Sequence, residues 1–224
     1  MDRTKLTAAL LAASLLASGC SSKSESSSET ESVKPLAISD LKDLNDGESP
    51  EIEYDPVSGG VRSIEGKVST IKVGDEDDAA EALEELADII GISAPDNELR
   101  FRIRNSGKDE FTYCFDQYYK DVHTFGTVAL SVDKDGNVTR LLNRYVPNID
   151  IDVTPNITGE QAVNIAKSKY EAGIDGEPEL TIIRAGKNFS LEWDIHLTDI
   201  FYPDEVYINV KNGNIDSETG PIPD

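Results

Sequence analysis

Gln117–Val138, QYYKDVHTFGTVALSVDKDGNV, is the stretch on which the rest of the chain turns. It packs aromatics, a histidine, acids and a glycine turn into one short span. Val128, Leu130 and Val132 alternate with small or polar residues before the turn. VTRLLNRYV follows it, and Asp135-Gly136 lies between. Asp-Gly flanked by two such runs predicts a β-hairpin. A calcium loop of the EF-hand type would need glycine at its sixth position and glutamate at its twelfth. Counted from Asp133, those places hold Val138 and Arg144, and the flanks read as strands where an EF-hand has helices.

The same alternation extends upstream. EFTYCFDQYY sets Phe111, Tyr113 and Phe115 against smaller or polar residues. LRFRIR sets Leu99, Phe101 and Ile103 against three arginines. Both predict strands with one apolar face. Before them DEDDAAEALEELADIIG predicts a helix with Ala80, Leu83, Ala87 and Ile90 on one face. Asp75–Asp78 lie at its positive end, and Gly91 stops it. VRSIEGKVSTIKV, from Val61, has strand character. Downstream, Val146–Asn156 (VPNIDIDVTPN) is a connector with two prolines. Thr158 and Gln161 form a capping box for a helix to about Glu171, with Ala162, Val163, Ala166 and Tyr170 inward. PELTIIRA, FSLEWDIHL and EVYINV then read as strands. The fold expected is α+β, with two small domains, 61–150 and 151–224, each a helix packed on an antiparallel sheet.

The 224 residues carry a formal charge of −22, with a pI near 4.3. Such a surface repels phosphate backbones, so no nucleic-acid partner is expected. The N-terminus, MDRTKLTAALLAASLLASGCSS, has Arg3 and Lys5, an apolar run Leu6–Leu16, and small residues ending at Cys20. It resembles a bacterial lipoprotein signal, residues 1–19, that places a lipid on Cys20. The alternative is an ordinary secretory signal in which the cysteine is incidental. Ser21–Ser32 (SSKSESSSETES) holds no apolar residue, and 20–60 is read as a disordered tether. The expected location is the extracytoplasmic face of a bacterial cell membrane. With Cys20 lipidated, Cys114 is the one remaining thiol, so no intramolecular disulfide forms. It reads as a half-buried small hydrophobe rather than a reactive thiol.

No catalytic constellation emerges. His123 and His196 are the two histidines, and neither begins H-E-x-x-H. No nucleophile elbow, phosphate-binding P-loop or dinucleotide fingerprint is present. The chain is read as a non-enzyme, with no catalytic residue, no metal and no cofactor. Candidate residues for a partner surface are Tyr118, Tyr119 and His123. The two tyrosines point to opposite faces of one strand, and His123 is placed in a turn.

The opening stretch resembles the fungalysin/thermolysin propeptide domain, through Gln117, Tyr119, Phe125, Gly126, Asp133, Asp135, Gly136 and Val138. Asp121 stands where that pattern has glycine, and His123 where it has proline. The helix ending at Ile90-Gly91 is similar too. The second half resembles a PepSY domain, through the helix Gly159–Lys169, the strand with Trp193, and VYINVKNGNI. In thermolysin-like precursors these domains occur in this order before the peptidase. The resemblance therefore implies a tethered prodomain-like protein that binds and restrains, or helps fold, a secreted thermolysin-like metallopeptidase. The alternative is a non-inhibitory module for another envelope protein or a small ligand.

Overall fold

The computed structural model describes residues 33–185, 188–198 and 203–220. The signal sequence, Cys20 and the serine-rich run to Ser32 lie outside the described residues. Five helices and ten strands are described, besides a short 3₁₀ turn, Ile38–Asp40. The helices are α1 (Leu41–Leu44), α2 (Glu76–Glu85), α3 (Ala87–Ile90), α4 (Pro95–Glu98) and α5 (Gly159–Tyr170). Strands β1 (Glu51–Tyr54), β2 (Val61–Glu65), β3 (Leu99–Ser106), β4 (Glu110–Tyr119), β5 (Val122–Asp133) and β6 (Val138–Asn143) precede α5. Strands β7 (Ile174–Ala185), β8 (Asn188–Leu197), β9 (Glu205–Asn209) and β10 (Ile215–Thr219) follow it. The fold is α+β. No helix among the described residues is long and apolar enough to cross a membrane.

All ten strands belong to one sheet. Its path runs β1-β2-β6-β5-β7-β8-β9-β10, and β3-β4 branches from β5. Every pairing is antiparallel except β5 with β7, where His123 faces Thr181 and Thr124 faces Ile182. That short parallel seam joins the two expected helix-on-sheet units. The sheet can be long because each end carries its own helical cover on one face, which buries the apolar positions there.

The first cover is α2 and α3. Asp75 caps α2 by accepting from the N–H groups of Asp77 and Asp78, and Gly91 ends α3 at φ 82°. Ala79, Ala82, Leu83 and Leu86 pack on Ile64, Tyr113, Phe115, Val128, Leu130 and Leu141. The expected helical face is displaced by one residue at its start: Ala79 is buried and Ala80 exposed. The helix breaks at Leu86 (φ −90°, ψ 0°), which alters the phase of the second turn set. The second cover is α5. Thr158 and Gln161 form the reciprocal capping box, and Ala162, Ala166 and Tyr170 pack on Ile195, Leu197, Val206 and Ile208. A third cluster, around Val122, Ile182 and Leu191, lies at the seam and takes in Ile149, Ile151 and Val153 of the connector.

Two expectations need correction. The segment expected as tether up to residue 60 is built into the fold from Leu36 onward. Leu41 is fully buried, Leu36 and Leu44 pack beside it, and β1 pairs with β2. Those leucines give the segment apolar surface to bury, which Ser21–Ser32 lacks. The strand LRFRIR does not keep one apolar face. A bulge between Phe101 and Ile103 inserts Arg102, so Ile103 pairs with Cys114 on the uncovered face. Arg104 then takes the covered-face position, with its guanidinium 3.9 Å from the Phe111 ring.

Candidate functional site

The β4–β5 hairpin turns on Lys120 and Asp121, at φ 49° and 65°. Two consecutive positive φ values define the tight turn that matches strand twist, and aspartate tolerates them better than most residues. His123 therefore stands in β5 rather than in the turn where it was placed. The register brings Tyr118 opposite His123, with ring centroids 5.4 Å apart. Arg100 stacks on Tyr118 at 3.9 Å and pairs with Asp121; Arg102 Nε lies 3.1 Å from Asp116 Oδ1. Tyr119 is on the other side, packed into the seam cluster. Two of the three candidate surface residues thus meet on the uncovered face, in a patch whose charges already satisfy one another. Cys20 lies outside the described residues.

On the same face, β8 and β9 build a second cluster. Glu192 is fully buried. Its Oε1 accepts from Ser190 Oγ and, at 3.3 Å, from Asn209 Nδ2, which also donates to Asp216 Oδ2 at 2.8 Å. Its Oε2 accepts no hydrogen bond among the described residues, nor does Asp194 Oδ1, which lies 3.9 Å from His196 Nε2. Burial pushes the Glu192 carboxyl up to about 7, against the help of Ser190 and with Asp216 adding to the rise. Burial likewise raises Asp194 to about 6, with Glu205 and Glu179 adding and His196 opposing. The Glu192 carboxyl is therefore partly protonated near neutrality, where an ordinary glutamate is ionised. Among the described residues, no three His, Cys, Asp or Glu side chains are grouped to hold a metal ion.

A large concavity lies where the connector crosses the seam. It encloses about 860 Å³ and is lined from both halves of the sheet. One wall is the β1–β2 turn with Val57 and Arg62. Another is Tyr145–Pro147 with Arg144, and a third is Arg184 with Phe189. Phe125, 42% exposed, belongs to the same lining. The connector wall is pinned by Gln117, which is buried. Its Nε2 donates to Val146 O at 2.9 Å and its Oε1 accepts from Val146 N at 2.8 Å. Gly126 is what admits that side chain, since a Cβ there would stand 1.9 Å from Gln117 Oε1. Tyr145 is fixed in turn by donating to Glu98 Oε2 at 2.5 Å.

The lining is unusual in this chain. Three arginines and one aspartate, Asp55, give it a formal charge of +2 within a protein of −22. Asp55 is spoken for by its own turn, accepting from Val57 N, Ser58 N and Ser58 Oγ. Neither Arg62 nor Arg144 forms a salt bridge among the described residues. Sequence reasoning missed this site. Its arginines sit on three separated elements and carry no spacing motif. The usable signal was the scarcity of arginine in so acidic a chain.

No protein-family profile and no curated protein matches the chain. Among solved structures it is similar to the Bacillus megaterium YpeB C-terminal domain, at 15% identity and a TM-score of 0.44, over 84% of this chain and all of that one.

Proposed function

We propose that this chain is a non-catalytic binding module that takes a segment of a protein partner in the cleft between the two halves of its sheet. The observation that carries the reading is the cleft itself: about 860 Å³, walled by both halves, with an exposed phenylalanine and arginine side chains at its margin. A site of that volume, mixing aromatic and aliphatic walls with arginines, has room and chemistry for a peptide ligand. Its walls are held in advance by Gln117 and Tyr145, so little ordering is left for binding to cost.

The partner we favour is a secreted thermolysin-like metallopeptidase, on the resemblance of the two halves to the prodomains of such enzymes. A lipid on Cys20 would hold the module at the membrane surface that a secreted enzyme crosses. Tethering there restores some of the local concentration that a covalently attached prodomain enjoys. The test is titration of the full chain, wild type and Phe125→Ala, against thermolysin-like enzymes of the same organism. Slowed hydrolysis with wild type and weakened binding with Phe125→Ala support the reading. If no enzyme is bound or slowed at micromolar concentrations, the peptidase is not the partner. If binding occurs but Phe125→Ala leaves it unchanged, the cleft is not the site.

A further inference from the structure

We infer that the cleft is selective for an acidic segment: an extended peptide carrying carboxylates, with an apolar side chain between or beside them. The inference rests on the binding-module reading and adds the chemistry of the ligand. Charge is the first argument. The protein as a whole, at −22, repels anions, so an acidic peptide meets a favourable potential only where arginines outnumber acids. The cleft is such a place, with Arg62 and Arg144 against Asp55 and a further arginine, Arg184, in the wall.

The choice of cation is the second argument. The lining contains arginine and no lysine. Guanidinium presents a planar fork that pairs two-to-two with a carboxylate, and it loses less on desolvation than an ammonium. Neither Arg62 nor Arg144 closes a salt bridge among the described residues; Arg62 feels the Asp55 carboxylate, whose Oδ1 is taken up by its own turn, and keeps its fork open. The contrast with the uncovered face is instructive, since Arg100 and Arg102 there are already bound to Asp121 and Asp116.

The third argument is apolar. Phe125 and Phe189 line the same cavity, and Val57, 87% exposed, stands at its edge. Inorganic anions gain nothing from such surface, whereas a peptide side chain does. A partner complementary to this protein therefore has a basic surround, which suits the acidic surface, and a projecting acidic segment, which suits the cleft.

The experiment is fluorescence anisotropy with the full chain and four labelled peptides of equal length: acidic with one phenylalanine, acidic with serine in its place, neutral, and basic. Wild type should bind the first most tightly and lose at least tenfold in affinity between low and high salt. Arg62→Glu/Arg144→Glu should weaken that peptide at least tenfold, and Phe125→Ala should weaken it severalfold while narrowing its advantage over the serine peptide. Citrate and phosphate at millimolar concentration should compete poorly. Equal binding of the neutral or basic peptide, or no effect of the double variant, overturns the acidic assignment. The binding-module reading survives that outcome if Phe125→Ala still weakens binding, and fails with it if Phe125→Ala has no effect. Displacement by citrate alone would make the site one for small anions. Self-association of the wild type abolished by the double variant would make the occupant a second copy.

Discussion

Glu85 and Glu192 are both buried glutamates on the same sheet system, and the two halves treat them in opposite ways. Glu85, on α2, meets donors on every side: Ser69 Oγ at 2.5 Å, Thr70 N at 2.9 Å and Thr70 Oγ1. It holds the irregular run after β2 against the helix. Glu192, on β8, meets two donors on one oxygen, none on the other, and shares the Asn209 amide with a second carboxylate, Asp216. The first site is completed by hydrogen-bond donors of the fold, whereas the second lacks donors on one oxygen and burial pushes its carboxyl toward the neutral form. A buried carboxyl is therefore not one kind of object, and its neighbours decide whether it anchors the structure or merely tolerates being inside.

Removing Glu85 should have the largest effect. Glu85→Ala leaves the Thr70 N–H and two hydroxyls without acceptors, and should cost about 3 kcal/mol, read as a lower midpoint in urea unfolding. An unchanged midpoint would mean that water replaces the carboxylate at no cost. Glu192→Gln should act with the opposite sign, with an advantage that grows as pH rises from about 4.5 to 7 and is full above that. The Glu192 carboxyl is raised from its ordinary 4.5 to about 7. Its contribution is thus full below about pH 4.5 and is lost as pH rises through 7, a swing of about 3 kcal/mol. The amide cannot ionise, so the variant should lack this part of the pH dependence and be the more stable protein at pH 8. Unfolding of both at pH 5 and pH 8 checks it, and parallel behaviour at the two pH values would remove the proton from Glu192.

Smaller effects sharpen the same contrast in the first half. Gln117→Ala removes both hydrogen bonds to Val146 and should cost about 2 kcal/mol. It should also loosen the connector, which hydrogen exchange at Val146 would detect. Gly126→Ala should produce a similar loss by displacing the same side chain. Asp121→Asn, on the exposed pair with Arg100, should change stability by less than about 1 kcal/mol. A larger loss would show that the stack of Arg100 on Tyr118 depends on that pairing.

Local signals in the sequence carried much of this architecture. The Asp-Gly hairpin is found between β5 and β6, where Asp133 Oδ1 accepts from Asp135 N and Asn137 N. The capping box of α5 and the aspartate cap of α2 stand where Thr158 and Asp75 put them. What failed was phase. A single extra residue, Arg102, sent Ile103 to the uncovered face, and alternation contains no warning of a bulge. Ile103 is 44% exposed as a result. The burial of Leu41 and the packing of Leu36 beside it were missed because the serine-rich composition just before them was carried too far along the chain. The strand β10 was missed because IDSET has one apolar residue and takes its place by pairing with β9. The site was the least legible part. Arg62, Arg144, Phe125 and Phe189 become neighbours only when β2, the connector, β5 and β8 are assembled, and no spacing along the chain encodes that.

The branching of the sheet also sets an order of assembly. The strands after α5 follow one another as an antiparallel meander, so each pairing closes a short loop. In the first half β2 pairs with β6 across a long stretch of chain, with α2 and β3–β5 between Ile64 and Leu141. Closing a loop of that length is entropically slower, and rates fall as contacts become less local. The meander should thus gain protection early in refolding, with β2 next to β6 among the last pairings to form. Pulse-labelled amides of Ile195 and Ile64 would report the two events.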